Sequence, residues 1–412
     1  MNVLFLSPDF LLPADRGLRV RTLSQLKLLC SLPSVDRVTL LCLCSEEVPA
    51  DRVRALESLS PKLRVETPVF QPVHMRRNPR FLPRLLRLRL LKGLPYLVAK
   101  VDNPTMRGLV ERAIERLRPE LVYLGYFAMA AYLPDVRRLA PRARVVLEQH
   151  NVEHEIFARL AEQHHGAMRL ALRWEARATR AFEKRTMQQV DSVIAISEND
   201  ARAFEALAGI RAVVIPPVVD PGVDDRVEKS IAPRLAYIGL LAWQPNVYGL
   251  DWFCRDVWPL VRARIPEAEL TIGGSGLRKV DGQPVVPEGW KVPGVTTVGY
   301  VASLEELYRG SLAMIAPVIG GSGVRMKLLE TMSAGMPTVT TTDGAAGLKL
   351  TDGDEVLIGD TPQAFADAVV RVLGDVELRR RMRAAGHAYL ARHHSAEHLR
   401  DRLRASLEGA PI

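Results

Sequence analysis

Short apolar runs rich in β-branched residues alternate with helical stretches along the whole chain. The first half contains runs at Val3–Ser7, Val38–Cys44, Leu63–Val69, Leu121–Gly125, Arg144–Leu147 and Ser192–Ile196. The second half restarts the pattern at Leu235–Gly239, Leu270–Gly274, Val295–Gly299, Leu312–Ala316, Pro337–Thr341 and Val356–Ile358. Runs of this length between helices are typical of buried strands in a parallel sheet. We therefore predict two α/β units, each a parallel sheet covered by helices.

The length of the chain supports the same division. With 412 residues the chain is too long for one ordinary core, so we expect two domains of about 200 residues each. Residues 215–233 are rich in proline, valine and charge, and they are predicted to form the hinge. The pattern predicts helices at Leu18–Leu29 and Ile156–Gln189, and an almost wholly helical end at Pro362–Leu407.

The stretch from 312 to 332 joins a strand, a glycine cluster and a helix. Gly320, Gly321 and Gly323 follow the strand, and Val324 then begins a pattern with helical spacing. Glycines let the backbone approach a ligand closely, and the first turn of a helix offers unpaired N–H groups and the positive end of a dipole. This arrangement predicts a phosphate site.

Charged side chains extend that prediction. Arg325 and Lys327 lie in the first turn of this helix, and Glu330 can share a helix face with Lys327. A carboxylate accepts the paired hydroxyls of a sugar well, so the stretch offers what a nucleotide diphosphate sugar needs. The alternative is the solvated face of an ordinary strand-to-helix turn, and these residues alone do not decide between the two.

Composition narrows the class of protein. Hydrophobic residues make up 48% of the chain and charged residues 25%, which is typical of globular proteins. The four cysteines show neither metal spacing nor a disulfide framework, so we expect a reduced, cytoplasmic protein. Cys42 and Cys44 alternate along a predicted strand as small core residues. We find no signal peptide and no stretch near the ~20 apolar residues that span a bilayer.

The formal charge of +9 suits an acidic partner. Residues 75–100 interleave leucines with cations, among them Arg76, Arg77, Arg80, Arg84, Arg87, Arg89 and Lys92. This segment could lie on an anionic membrane, which would place the protein peripherally on the inner face of the cytoplasmic membrane. It could equally pack its leucines on the sheet and expose its arginines to water. We do not expect nucleic acid, because aromatic residues for stacking are nearly absent there.

Two residues of the first half are candidates for a ligand site. His150 follows the strand Arg144–Leu147, where it could bond a substrate hydroxyl or serve as a cap or core residue. Gly17 precedes the first helix, in the loop that leaves the first strand. Structural roles are predicted nearby: Ser197 is expected to cap a helix, while His154, His164 and His165 are expected to be exposed.

In their order and spacing these motifs resemble the retaining GT-B glycosyltransferases of group 1, the large family that includes sucrose-phosphate synthases and bacterial mannosyl- and glucosyltransferases. Within it, the chain is most similar to bacterial sugar transferases associated with exopolysaccharide and exosortase gene clusters. The resemblance rests on NVLFLSPDFLLPADRG at the start, LEQHNVE around His150, DSVIAISEND, YIGLLAWQPNVYGLDWF from Tyr237, VGYVASLEELY from Val298 and GGSGVRMKLLETMSAGMPTVTT from Gly320.

The resemblance implies two Rossmann-like domains facing each other across a cleft. An acceptor-binding domain would span 1–215, a nucleotide-sugar-binding domain 216–394, and a last helix, 395–412, would return to the first domain. The reaction would move a hexose from a nucleotide diphosphate sugar to an acceptor hydroxyl with retained configuration and without metal or other cofactor. The acceptor could be a glycan, a lipid-linked sugar or a small molecule, in polysaccharide, glycolipid or natural-product synthesis.

Carried over by position, Glu330 matches the second glutamate of a paired motif and would bind the ribose. Ser322 occupies the place of the first glutamate, although it and the neighbouring amides of Gly321, Gly323 and Val324 could still reach the donor. The remaining matched positions are His150 and Gly17 on the acceptor side, with Arg16 where many relatives carry a second glycine, and Gly239 and Tyr300 in the second domain.

The family's usual cations after the first strand of the second domain are missing, because Leu240 and Leu241 follow Gly239. We therefore hypothesise that Arg325 and Lys327 neutralise the diphosphate in their place. Two other functions remain open: a nucleotide-sugar-binding protein without transferase activity, for which Ser322 would be a sign of decay, and an epimerase. A phosphorylase would need a lysine for a pyridoxal cofactor, and a nucleotide hydrolase would need a Gly-Lys-Ser/Thr loop; neither is found.

Overall fold

A computed structural model describes residues 1–14, 17–44, 47–67, 83, 87–89, 93–102, 104–222, 232–280, 283–301, 303–320 and 324–408. The chain divides into two compact units. Unit 1 comprises residues 1–218 together with 399–412, and unit 2 comprises residues 219–398.

Unit 1 is built on a parallel sheet with the order β3-β2-β1-β4-β5-β6-β7. Its strands are β1 (Asn2–Ser7), β2 (Arg37–Cys42), β3 (Leu63–Glu66), β4 (Leu121–Leu124), β5 (Arg144–Glu148), β6 (Ser192–Ala195) and β7 (Val213–Val214). The order reverses between β1 and β4, and open α/β sheets bind ligands outside the carboxyl ends of the strands at such a point.

Unit 2 contains a second parallel sheet, with the order β12-β9-β8-β13-β14-β15. Its strands are β8 (Arg234–Ile238), β9 (Glu269–Gly273), β12 (Val295–Gly299), β13 (Ala313–Ala316), β14 (Thr338–Thr340) and β15 (Leu357–Ile358), with an added hairpin of β10 (Lys279–Val280) and β11 (Gln283–Pro284). Here the order reverses between β8 and β13. The two sheets confirm the predicted fold class of two parallel α/β domains.

Helices connect the strands throughout the part of the chain that the structure describes. In unit 1 they are α1 (Gly17–Ser31), α2 (Ala50–Glu57), α3 (Tyr96–Val101), α4 (Pro104–Leu117), α5 (Leu133–Leu139), α6 (Glu153–Glu162), α7 (Gly166–Met187) and α8 (Glu198–Ala208). From residue 244 onwards they are α9 (Gln244–Trp252), α10 (Trp258–Arg264), α11 (Leu304–Arg309), α12 (Met326–Ser333), α13 (Thr342–Ala345), α14 (Pro362–Gly374), α15 (Val376–His393) and α16 (Ala396–Glu408).

The central strands form because their side chains are buried on both faces of each sheet. Every residue of β4 is buried, and Phe5 of β1 stacks on Tyr123 of β4 with ring centroids 4.6 Å apart. Burying an apolar side chain of this size contributes about 1.5–3 kcal/mol. Cys42 and Cys44 are buried, as predicted for small core residues.

The last helix, α16, packs on unit 1 through one stripe of its surface. Leu399, Leu403 and Leu407 are spaced at i, i+4 and i+8, and all three are buried. Arg402 donates a hydrogen bond of 3.2 Å from Nη1 to the carbonyl of Val214, at the end of β7.

Several predicted elements differ from the observed ones. The single helix predicted over Ile156–Gln189 is wrong, because α6 and α7 are separate helices. The break comes at Gly166, whose φ of +59° lies in the left-handed region that side chains with a Cβ rarely adopt. Two-residue strands such as β7 and the β10–β11 hairpin were not predicted, since they are too short to show a periodic pattern.

Candidate functional site

The first candidate site lies in unit 2, at the carboxyl ends of β8 and β13. The loop after β8 begins at Gly239, and the loop after β13 runs through Gly320 to α12. The reversal of strand order between β8 and β13 brings these two loops side by side. Residues from both loops, and from the first turn of α12, therefore meet at the position where α/β sheets bind ligands.

Lys327 is at the centre of this site. Its Nζ lies 3.2 Å from the hydroxyl of Tyr237 and donates a 3.0 Å hydrogen bond to Oδ1 of Asn246. The ammonium also sits 4.5 Å from the centroid of the Tyr237 ring. Burial, and then repulsion by Arg325, lower the pKa of Lys327 to about 7, while Glu330 acts in the opposite direction. Burial and the nearby Arg325 both make the charged form of Lys327 unfavourable. A bound anion would offset both effects, so we expect this site to bind anions strongly.

Arg325 lies beside Lys327, at the residue that precedes α12. Only 6% of Arg325 is exposed, and its Nη2 donates a 3.1 Å hydrogen bond to the carbonyl of Gly320. The guanidinium carbon lies 5.1 Å from the centroid of the Trp243 ring, so an aromatic ring orients the cation. Burial lowers the pKa of Arg325, and Asp343 opposes this shift. The two predicted cations are thus neighbours in one site.

Side chains that the sequence analysis missed hold the two loops in place. Asn246 donates from Nδ2 to the carbonyl of Leu240 at 3.0 Å, while its Oδ1 accepts from Lys327. The amide of Gly320 donates to Oδ2 of Asp343 at 2.7 Å, which fixes the loop after β13 to the start of α13. Asn246 and Asp343 follow different strands, and only the order of the sheet places them together.

Three side chains approach Gly239 closely in this site. A Cβ added there would lie 2.7 Å from the Tyr237 hydroxyl, 3.0 Å from Nδ2 of Asn246 and 3.0 Å from Nζ of Lys327. We therefore expect Gly239→Ala to displace the ammonium and to lower kcat/KM for a nucleotide sugar at least tenfold. Steady-state kinetics with a nucleotide diphosphate sugar measure this effect.

Gly374→Ala is the matched control, because nothing lies within 4 Å of a Cβ at that position in the same unit. It should leave kcat/KM within twofold of the wild type. Equal rates for the two alanine variants would contradict the account of Gly239.

The structure describes only some of the other residues predicted for unit 2. Gly321, Ser322 and Gly323 lie outside the described residues. Val324 is half-buried, and Tyr300 is 80% exposed at the end of β12. Glu330 is exposed; desolvation of its carboxyl raises its pKa and Lys327 lowers it. The predicted roles of these six positions stay predictions.

Unit 1 carries its candidate residues after β5. His150 points its Nε2 back towards the buried Glu148, 3.7 Å from Oε1, and its side chain is 7% exposed. Glu148 also accepts hydrogen bonds from Nε of Arg21 at 2.6 Å and from the hydroxyl of Tyr123 at 3.0 Å. Burial raises the pKa of Glu148, but Arg21 and His150 outweigh it and lower the value. His150 therefore belongs to a buried polar network, and its contact with a substrate stays a prediction.

Glu153 is a second carboxyl that sequence reasoning missed. Its Oε1 accepts from the hydroxyl of Tyr126 at 3.0 Å and from Nδ2 of Asn151 at 3.3 Å. Burial raises the pKa of Glu153 to about 7; the hydrogen bonds from Asn151 and Tyr126 lower it, and the nearby Glu183 raises it. An acidic residue in the first turn of a helix resembles an ordinary partner of the helix dipole, so no sequence pattern singles out Glu153.

The raised pKa of Glu153 makes the stability of unit 1 depend on pH. Between pH 4.5 and 7 the folded protein keeps a proton that the unfolded chain releases, so this group lowers the free energy of unfolding as pH rises. Glu153→Gln should not lose stability in this way. The free energy of unfolding of the variant, relative to that of the wild type, should therefore increase by up to about 1.4 kcal/mol for each unit by which the pH rises. Urea denaturation at pH 5, 6, 7 and 8 measures the difference.

Glu155→Gln is the control for Glu153, because Glu155 lies in the same helix and is 48% exposed. Its stability difference from the wild type should not change over this range. A Glu153→Gln difference that is equally flat would contradict the assigned pKa.

Two expectations about unit 1 need correction. His154 is not an exposed helix position: its Nδ1 lies 2.6 Å from Oε2 of the fully buried Glu183. Arg89, predicted either to meet a membrane or to face water, is 7% exposed and forms an ion pair with Glu175. Most of the remainder of segment 75–92 lies outside the described residues. Ser197, in contrast, caps α8 as predicted, accepting from the amide of Asp200 at 3.1 Å.

In the part of the chain that the structure describes, no three His, Cys, Asp or Glu side chains form a group able to hold a metal ion. None of the helices described combines the length and the apolar character that crossing a bilayer requires.

Two protein-family models match the chain. "Glycosyltransferase Family 4" matches residues 36–223, and "Glycosyl transferases group 1" matches residues 232–375. A Klebsiella pneumoniae protein named "Uncharacterized 44.6 kDa protein in cps region" is 24% identical over 159 residues, which are 37% of this chain. The match spans only 40% of the length of that relative.

Solved structures are similar over the full length. HepE of Anabaena, in complex with UDP and glucose, has a TM-score of 0.64 at 14% identity and covers 99% of this chain and 100% of its own. Sucrose-phosphate synthase of Thermosynechococcus elongatus has a TM-score of 0.65 at 15% identity, covering 99% of both chains. At this identity the likeness shows the fold.

The two parallel-sheet units and these neighbours define a GT-B protein. Because a glycosyltransferase model matches each of the two units, the family can also be stated. The chain belongs to the group 1 glycosyltransferases.

Proposed function

We propose that this glycosyltransferase moves a hexose from a nucleotide diphosphate sugar to an acceptor hydroxyl and retains the anomeric configuration. The observation that carries the proposal is the position of Lys327, bonded to Tyr237 and Asn246 beside Arg325, at the ends of β8 and β13. Two adjacent cations of lowered pKa match the charge of a diphosphate. UDP and UDP-glucose are bound by HepE, which makes UDP-glucose the first donor to test.

The reaction places negative charge on the leaving diphosphate. When the bond between the anomeric carbon and the diphosphate oxygen breaks, Lys327 and Arg325 stabilise the oxygen that departs. Donors fixed in advance at the atom where charge develops lower the barrier most, because they need no reorganisation during the reaction. The oxygen of the acceptor then bonds to the same face of the sugar, and the proton of its hydroxyl passes to the departing diphosphate oxygen. In this scheme the cations of unit 2 supply the stabilisation, and no metal or other cofactor takes part.

We assign the acceptor side to unit 1, at the ends of β4 and β5, where His150 and Glu153 lie. The acceptor class is a glycan, a lipid-linked sugar or a small molecule, in the synthesis of a polysaccharide, a glycolipid or a natural product.

Incubation with a panel of nucleotide diphosphate sugars, with UDP-glucose first, tests the proposal. We expect release of the nucleotide that depends on an added acceptor extract, at a rate unchanged by EDTA. The anomeric coupling constant of the product, measured by NMR, should show the configuration of the donor. Binding of a nucleotide sugar without nucleotide release would indicate a binding protein instead, and an inverted product would contradict retention.

A further inference from the structure

The outward face of α7 carries an unusual set of exposed apolar side chains. Leu170 is 68% exposed, Met168 56% and Trp174 51%. Among the described residues of unit 1, only Leu59, at 42%, joins these three as an exposed large hydrophobic residue. Leu170 and Trp174 lie one turn apart on the same face and form a patch, whereas Met168 lies more than 100° from either around the helix; single exposed apolar residues are ordinary.

Cations border this patch on one side. At about 100° per residue, Leu170 and Trp174 lie within about 40° of each other on the helix, and Arg173, Arg177 and Arg180 form the adjacent stripe. All three arginines are exposed. Neither of the two acidic residues of α7 adds a free carboxylate to this surface, because Glu175 is paired with Arg89 and Glu183 is fully buried. The outward face is therefore apolar and basic, with no exposed carboxylate.

A buried cation holds Trp174 at the surface. The guanidinium carbon of Arg89 lies 4.1 Å from the centroid of the Trp174 ring, and its Nη2 donates a 3.0 Å hydrogen bond to the Trp174 carbonyl. Arg89 also forms the ion pair with Glu175. Arg89 therefore holds both the ring and the backbone of Trp174 at this face.

We propose that this face of α7, formed by Leu170, Trp174, Arg173, Arg177 and Arg180, docks on an anionic lipid surface. Leucine and tryptophan side chains enter the boundary between headgroups and acyl chains, while arginines on the neighbouring stripe reach lipid phosphates. The charge of the face complements anionic lipid, and its lack of carboxylates removes the repulsion that such a surface would impose. This inference concerns location and is independent of the proposed transfer reaction.

Vesicle sedimentation with the full-length protein tests the proposal. The probes are vesicles of phosphatidylcholine alone and of phosphatidylcholine with 30% phosphatidylglycerol. We expect the wild type to bind the anionic vesicles at least tenfold more tightly than the neutral ones, and this preference to shrink in 0.5 M salt. Leu170→Glu should reduce binding to anionic vesicles at least fivefold, and Arg177→Glu with Arg180→Glu should reduce it further.

Val376→Glu is the matched control, since Val376 is 57% exposed and lies in unit 2. It should bind vesicles as the wild type does, and nucleotide-sugar turnover without vesicles should be the same for both single variants. Equal binding of the wild type to the two kinds of vesicle would overturn the proposal. Unchanged vesicle binding by Leu170→Glu would overturn it too. A third contrary result would be a wild-type dimer in sedimentation velocity that Leu170→Glu dissociates, because a second copy of the chain would then cover this face.

Discussion

Arg325→Ala should lower kcat/KM for the nucleotide sugar at least a hundredfold while the protein stays folded. The guanidinium is one of two cations placed for the diphosphate, and losing a fixed charged donor at the leaving group costs about 3 kcal/mol in the transition state. Because its Nη2 bonds to Gly320 and its face stacks on Trp243, Arg325→Lys should restore only part of the rate. Steady-state kinetics and circular dichroism of the purified variants measure both effects.

Arg379→Ala is the control for Arg325→Ala. It distinguishes the effect of losing a donor-binding cation from the effect of losing any buried arginine. Arg379 is 3% exposed in the same unit, and its Nη1 donates to the carbonyls of Val372 and Leu373 at 2.8 and 2.9 Å. Its removal should lower the melting temperature but leave the rate per folded molecule near that of the wild type. An Arg325→Ala variant with near-normal turnover would remove Arg325 from the site.

Lys327→Met should be comparably severe and should also change the pH dependence of donor binding. With a pKa of about 7, Lys327 is largely neutral at pH 9, and a bound diphosphate favours its charged form. Above pH 7, Lys327 of the wild type therefore takes up a proton when the donor binds. The affinity for the donor should fall by up to about tenfold per pH unit between pH 7 and 9. Lys327→Met should bind weakly at pH 7, with little change as the pH rises. Isothermal titration calorimetry with the intact nucleotide sugar tests this.

Lys291→Met provides the comparison for that experiment, because Lys291 is half-exposed in unit 2. It should keep both the affinity and the pH dependence of the wild type. A slope between pH 7 and 9 that persists in Lys327→Met would assign the titration to another group.

Much of the fold could be predicted because the longer strands carry a signal in their local sequence. The runs at Val3–Ser7 and Leu312–Ala316 are apolar, short and bounded by helices, and burial on both faces of a sheet dictates that composition. The break between α6 and α7 escaped prediction because the amphipathic pattern continues across it. One glycine with a positive φ makes the break, and a glycine inside a helical pattern is not diagnostic.

The candidate site, like the fold, could be predicted only in part from the sequence. Arg325 and Lys327 could be predicted because they follow a glycine loop in the first turn of a helix, which is a local signal. Tyr237 and Asn246 could not, because they lie about 80–90 residues before Lys327 and meet it only through the order of the strands. The burial of Arg89 was missed for the same reason, since its partner Glu175 lies 86 residues away.

The central claim is that Arg325 and Lys327 together hold the diphosphate of the donor. Calorimetric affinities for UDP and UMP test it most directly, because the two ligands differ by one phosphate. The account predicts that the wild type prefers UDP at least thirtyfold, and that the double variant Arg325→Ala with Lys327→Met prefers it less than threefold. A preference for UDP that survives in the double variant would contradict it.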